Sequence, residues 1–164
     1  MSQHDGPIRI LFVCMGNICR SPLAEGVFQH LAEQNGVADH FEIDSAGTGG
    51  WHAGELADPR MRATAESHGI TLTSRARQIK DSDWTEFDLV VCMDQDNQAD
   101  VLAAGAPVDR VSLLLDFDSA ASVREVPDPY YGGDDGFETV YQLVHSACTV
   151  LLEQQLQATA RELP

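Results

Sequence analysis

The residues in this chain with the clearest chemical use sit six positions apart: Cys14 and Arg20, in the run Cys14-Met15-Gly16-Asn17-Ile18-Cys19-Arg20-Ser21. A cysteine sulfur attacks as its thiolate, a form that a positive local potential favours. A guanidinium presents a planar, two-pronged contact to two oxygens of a phosphate. Between the two, Gly16 and Asn17 tolerate the left-handed backbone that curls successive N–H groups inward into an anion-binding nest. Ser21-Pro22 reads as a helix start, with serine at the N-cap and proline at the first helical position. A helix N-terminus there adds unpaired N–H groups and positive potential. The competing reading of the same residues is a buried structural cysteine at a strand end and an exposed arginine. A buried strand entering the loop, Gly-Asn inside it and a helix leaving it favour the oxyanion site, with Cys14 at its floor.

The elements that must position this loop follow from the apolar pattern. Residues 8–13 (IRILFV) form a mostly apolar run rich in β-formers, as expected of a strand covered on both faces. Leu23, Val27 and Leu31 recur at i, i+4 and i+8 until Asn35-Gly36 stops the helix. Residues 41–44 suit a short strand, and Asp58-Pro59 opens a helix ending at His68-Gly69. Residues 87–93 suit another strand, apolar except for Asp88, followed by an acidic N-cap at Asp94 and a short helix to Gly105. Residues 111–115 suit a last strand. Phe137, Val140, Val144, Cys148 and Leu151 then mark the apolar face of the final helix. Strands alternating with helices predict a three-layer, Rossmann-like α/β domain, a four-stranded parallel sheet with helices on both faces. Ligands of such sheets gather beyond the carboxyl ends of the strands, which is where residues 14–21 fall. Residues 1–7 read as a flexible tail and 8–160 as one catalytic domain, with no repeat or linker dividing it.

Composition narrows the function classes. The 164 residues suit one domain, and 43% hydrophobic with 22% charged residues is the normal globular range. Twenty-six acids against ten bases give a net charge of −16. So acidic a chain has little electrostatic reason to bind nucleic acid or an anionic membrane. The apolar stretch from Ile8 to Met15 is too short to span a bilayer and lacks the basic flank and cleavage site of a signal peptide. Cys14, Cys19, Cys92 and Cys148 do not make a disulfide framework. The sequence implies a cytoplasmic, reducing setting, with no metal and no cofactor. A zinc site is not expected, because Cys14 and Cys19 have no second close pair to complete it.

Val13 to Ser21, VCMGNICRS, resembles the active-site signature of the low-molecular-weight protein tyrosine phosphatases. Further likenesses run along nearly the whole chain: Asp44-Ser45-Ala46-Gly47-Thr48 with Trp51, Ser67-His68-Gly69-Ile70, FDLVVCMD over residues 87–94, and Asp128-Pro129-Tyr130-Tyr131-Gly132-Gly133. The resemblance implies hydrolysis of phosphotyrosine and aryl phosphates through a phosphocysteine on Cys14, without a metal. Arg20 and the loop amides from Met15, Gly16, Asn17, Ile18, Cys19 and Ser21 would bind phosphate. The partners implied are tyrosine-phosphorylated proteins, and the chain is expected to be a monomer.

Displacing an aryl oxide calls for a general acid, typically worth about 10²–10⁴-fold. With 26 acids, sequence position alone does not select one. Asp128 is the best local candidate, because Pro127 and Pro129 stiffen its loop, and the resemblance assigns it that role. Ile18, Trp51, Tyr130 and Tyr131 are expected to wall a slot deep enough for a phenyl phosphate. By resemblance, Ser45 and His68 would hold Asn17 in its strained conformation; a helix-end residue favourable to the dipole is the simpler reading of His68. Ser21 is expected to hydrogen-bond the Cys14 sulfur. Cys19 would be a redox partner able to close a protective disulfide with Cys14.

Two other classes fit less of the sequence. Thioredoxin-linked arsenate reductases keep a similar loop but relay electrons through two further, closely spaced cysteines, whereas Cys92 and Cys148 lie 56 positions apart. A non-catalytic phosphotyrosine-binding module is expected to have lost Cys14 or Asp128, and both are present. Half of the basic residues (Arg60, Arg62, Arg75, Arg77, Lys80) fall between positions 60 and 80, which suggests either a basic rim steering substrate or a solvated surface.

Overall fold

The computed structural model describes residues 6–130, 133 and 135–162. Four strands form one parallel sheet: β1 (Ile8–Cys14), β2 (Phe41–Gly47), β3 (Leu89–Cys92) and β4 (Val111–Leu113), in the spatial order β2-β1-β3-β4. Register runs from Ile8 beside Phe41 to Cys14 beside Gly47, and from Ile10 beside Leu89 to Val13 beside Cys92. The chain leaves β1 toward one edge to make β2 and returns to its other side to make β3. That reversal of winding opens a crevice at the carboxyl end of β1, where Cys14 stands.

Alternation along β1 splits the core in two. Ile10, Phe12 and Cys14 face α1 (Arg20–Gln34), α2 (Pro59–Ser67) and α5 (Asp135–Glu162). Leu11 and Val13 face Trp84 of the short α3 (Asp83–Glu86) and Val101 of α4 (Gln95–Ala103). Both faces being covered explains why β1 reads as a continuous apolar run, with Ile10 through Val13 fully buried. On the first face, Phe28 stacks edge-on against Phe41 at 5.1 Å between ring centres and packs beside Phe12.

The three-layer fold expected from the sequence is the fold observed, with differences at the element ends. α1 begins at Arg20, with Cys19 at its N-cap, so Ser21 is a helical residue and not the cap. Its hydroxyl is drawn instead into contacts with Cys14 and Asn17. β2 runs three residues beyond Asp44, because Gly47 continues the ladder beside Cys14. The β4 strand stops at Leu113, where residues 114–117 turn into a 3₁₀ helix. Asp58 and Asp94 cap α2 and α4 as the sequence indicates, Asp94 within a reciprocal capping box with Asn97. No helix of the described residues is long and apolar enough to cross a membrane.

Candidate active site

Cys14 closes β1 with 2% of its surface exposed, and residues 15–19 curl over it before Arg20 begins α1. Asn17 has φ of 58°, the left-handed conformation expected of it. Among the described residues, the backbone N–H groups of Met15 to Cys19 have no acceptor, so they remain available to an anion. The carbonyls of the same loop are tied outward: Cys14 to the Thr48 N–H at 2.9 Å, Met15 to Gly49 at 3.0 Å and Ile18 to Asp58 at 2.8 Å. A side chain at Gly47 would put a Cβ 2.7 Å from the Met15 carbonyl oxygen, so the loop lies this close only because glycine stands there.

A buried polar chain fixes the loop from beneath. The Asn17 Nδ2 donates to Ser21 Oγ at 2.8 Å and to Ser45 Oγ at 3.0 Å, while its Oδ1 accepts from the Arg77 N–H at 3.0 Å. Every polar capacity of that amide except one lone pair is thereby used. Ser21 Oγ, already accepting from Asn17, has its proton free for the Cys14 sulfur, 2.9 Å away. Ser45 Oγ in turn donates to Glu25 Oε1 at 2.6 Å. Burial raises the Glu25 carboxyl above its usual range, and Asp44 adds to the rise; the hydrogen bonds from Ser45 and Ser74 oppose it.

Arg20, 3% exposed, reaches across the carboxyl end of the sheet. Its Nη1 donates to Asp94 Oδ2 at 2.6 Å and to the Val126 carbonyl at 3.0 Å, and Nη2 stands 3.8 Å from Asp128 Oδ2. Burial works against the guanidinium charge, but Cys14, Asp94 and Asp128 outweigh it and raise the Arg20 pKa. Asp128 Oδ1 accepts from the Tyr130 N–H at 3.0 Å. Cys14, Met15, Gly16, Ile18, Cys19, Arg20, His52, Asp128 and Tyr130 line one pocket of about 110 Å³. Two larger hollows, of about 460 and 500 Å³, contain none of the loop residues, so size alone would misplace the site.

Several expected residues fall elsewhere. Trp51 is 71% exposed and lines a separate hollow beside Gln78 and Asp100. Its indole lies against Gly49, where an added Cβ would come within 1.8 Å of the ring. His52 takes the place expected of Trp51, bonded to Glu55 at 3.1 Å and facing Tyr130 with 6.4 Å between ring centres. His68 is not brought to Asn17. It bonds Glu138 at 2.9 Å and stacks on Tyr141 at 3.7 Å, because its position ends α2 against α5. Tyr131 lies outside the described residues. Cys14, Cys19, Cys92 and Cys148 are free thiols. Burial, then the charges of Asp58, Cys14 and Asp128, pushes the Cys19 thiol far up. Cys92, on the opposite sheet face, is pushed up to about 12, chiefly by burial. Cys148 is fully buried, 3.9 Å from the Ala24 carbonyl, and neither it nor Cys92 lines the pocket.

Sequence reasoning missed His52, Glu25, and the link from Asp58 and Arg60 to the Tyr130 loop. Asp94 was legible as a helix cap but not as the partner of Arg20. Only its place just after β3, level with the loop after β1, signals the second role.

A parallel α/β sheet with an anion-binding loop at its reversal point, backed by a cysteine and an arginine, defines a phosphate-binding class of protein. The family model "Low molecular weight phosphotyrosine protein phosphatase" matches residues 9–162. A low molecular weight protein-tyrosine-phosphatase of Streptomyces coelicolor is 48% identical over 88% of this chain and 91% of its own length. The human low molecular weight phosphotyrosine protein phosphatase is 39% identical over 88% and 94%. The crystal structure of a protein tyrosine phosphatase from Entamoeba histolytica, with Hepes in its active site, superposes with a TM-score of 0.89 at 37% identity, covering 93% of this chain and 99% of that one. The chain belongs to the low molecular weight phosphotyrosine protein phosphatase family, and is a phosphoric monoester hydrolase.

Proposed function

We propose that this phosphatase hydrolyses phosphotyrosine and other aryl phosphates through a phosphocysteine on Cys14, with Asp128 as acid and then base. The observation that carries the reading is that Asp128, more than a hundred positions along the chain, lines one small pocket together with Cys14 and Arg20 of the phosphate loop. The Cys14 sulfur attacks phosphorus in line, forming the S–P bond as the P–O bond to the aryl group breaks. Arg20 and the N–H groups of residues 15–19 hold the equatorial oxygens. Asp128 gives its proton to the departing aryl oxide. Water then attacks the phosphocysteine, Asp128 takes its proton, and Cys14 leaves as thiolate, steadied by the Ser21 hydroxyl.

The pocket walls support an aryl substrate. Ile18, His52 and Tyr130 surround the mouth, with apolar and ring surface for a phenyl group. Tyrosine-phosphorylated proteins are accordingly the proposed partners. Cys19, buried beside Cys14 in the same pocket, is the proposed partner for a protective disulfide, formed when an oxidant such as a peroxide takes both thiols to one S–S bond.

Hydrolysis of p-nitrophenyl phosphate in EDTA tests the reading, with Cys14→Ser as the control. Vanadate-sensitive turnover is expected from the native protein and none from the variant, which should still bind phosphate. Turnover retained by Cys14→Ser would overturn the covalent mechanism.

A further inference from the structure

Asp128 sits between Pro127 and Pro129, and each proline ring fixes its own φ. The first φ after Asp128 that no ring locks is therefore that of Tyr130, whose N–H holds the Asp128 Oδ1 at 3.0 Å. The carbonyl of that same Tyr130 accepts from Arg60 Nη2 at 3.3 Å. The Arg60 guanidinium also lies 5.4 Å over the Tyr130 ring and 4.7 Å over the Phe137 ring of α5. Asp58 fixes the guanidinium itself, through Nε to Oδ1 at 3.1 Å and Nη2 to Oδ2 at 2.9 Å. The Asp58 N–H closes the circuit on the phosphate loop, at the Ile18 carbonyl. One paired fork at the start of α2 thus touches the loop that would hold phosphate and the loop that would deliver the proton.

We propose that Arg60 is a positioning residue for the reaction: through the two ends of Tyr130 it sets where the Asp128 carboxyl points, and Asp58 holds it in register with the phosphate loop. The proposal rests on Asp128 being the general acid. Arg60 itself lines no part of the pocket, so it acts through Tyr130 and not on substrate. Its geometry calls for arginine. The fork spends two nitrogens on Asp58 and still reaches the Tyr130 carbonyl with Nη2, which a lysine ammonium on a flexible stem cannot reproduce while stacking on two rings.

The test is kcat/KM across aryl phosphates of graded leaving-group pKa, for native protein, Asp128→Asn, Arg60→Lys and Arg60→Met. Asp128→Asn should make the rate depend far more steeply on the leaving group, as loss of an acid worth about 10²–10⁴ requires. Both Arg60 variants should steepen it in the same sense but less. We expect about a tenfold fall for phenyl phosphate, a part of the full acid effect, and under about twofold for an activated ester that leaves unaided. Vanadate affinity should stay within about twofold in both, showing an intact phosphate loop. If Asp128→Asn leaves the slope unchanged, the assignment of the acid fails, and the positioning role with it. If Asp128→Asn steepens the slope but neither Arg60 variant does, the positioning proposal alone is overturned. Equal losses on every ester, accompanied by lost vanadate affinity, would reduce Arg60 to a structural brace and overturn it too. If Arg60→Met does not fold, Arg60→Lys keeps the charge and the stem and decides between these results.

Discussion

At the residue scale, Asn17 carries two separable burdens: a left-handed backbone and a three-bond side-chain amide. Asn17→Gly relieves the first and forfeits the second, whereas Asn17→Ala loses on both. Left-handed backbone costs a residue with a Cβ about 1–2 kcal/mol, and a buried polar group left unsatisfied costs about 1–3 kcal/mol. Thermal unfolding and vanadate titration should therefore show Asn17→Ala the weaker, with Asn17→Gly clearly below native; a glycine variant equal to native would leave the amide without a role. The next link in the same chain, Glu25, supplies a pH signature. Its folded pKa is raised, chiefly by burial, so the folded state holds this proton more tightly than the unfolded chain does. The stability it lends is whole below the ordinary glutamate pKa and is lost as pH climbs from there through the raised value. Glu25→Gln, which can still accept from Ser45, should flatten that decline in a series of melting temperatures across the window. An unchanged slope would mean the proton resides elsewhere.

At the element scale, Asp94 serves two structures at once, capping α4 and bonding Arg20 at 2.6 Å. Substitution separates them. Asparagine is as good a cap as aspartate but offers Arg20 no charge, while alanine offers neither and gives up about 1 kcal/mol of helix capping. Asp94→Asn and Asp94→Ala should therefore lose vanadate affinity alike, with only the alanine variant also losing the cap energy in denaturant unfolding. Native affinity in Asp94→Asn would show that the guanidinium is oriented without it. The same double use explains what was readable beforehand. An acid ahead of a helical pattern signals a cap on local grounds, and the apolar run of β1 signals a sheet covered on both faces, because both depend on neighbours in sequence. Ser21-Pro22 carries an equally strong local signal and misplaces the cap by two residues, since the hydroxyl is claimed by Cys14 and Asn17 across the loop. Trp51 and His52 are adjacent on a loop with no periodicity, so nothing local decides which one faces the pocket. Arg60 two positions after Asp58 is visible as a pair, but its reach to Tyr130, seventy positions away, exists only once α2 and α5 have packed.

At the scale of the whole molecule, the question is how a chain of net charge −16 meets an anionic substrate. The basic residues between 60 and 80 could have formed a steering rim, but the structure gives each of the four arginines a partner within the chain, although Arg60 and Arg75 stay exposed. Arg60 is forked to Asp58, and Arg77 is shared between Asp44 and Asp83. Arg62 donates to the Ala57 carbonyl and Arg75 to that of Gly54. Near the pocket, Asp58, Asp94 and Asp128 outnumber the cations they pair with, so the far field at the mouth follows the net charge of the molecule. Attraction for phosphate then begins only within the loop, at Arg20 and the amides, where distances are too short for salt to screen strongly. At low salt, where the Debye length is about 30 Å, the whole negative surface opposes approach; near 0.1 M, at about 10 Å, most of it is hidden. For a phosphotyrosine peptide flanked by acids, kcat/KM should therefore rise roughly several-fold between these conditions, in the opposite sense to an electrostatically steered encounter. A peptide of the same length flanked by lysines should change little or fall, since screening removes its attraction to the acidic surface. Measuring both peptides over one salt series decides the matter. A fall for the acidic peptide would show that the arginines between 60 and 80 act as a rim in spite of their internal partners, and that the local field at the mouth overrides the net charge.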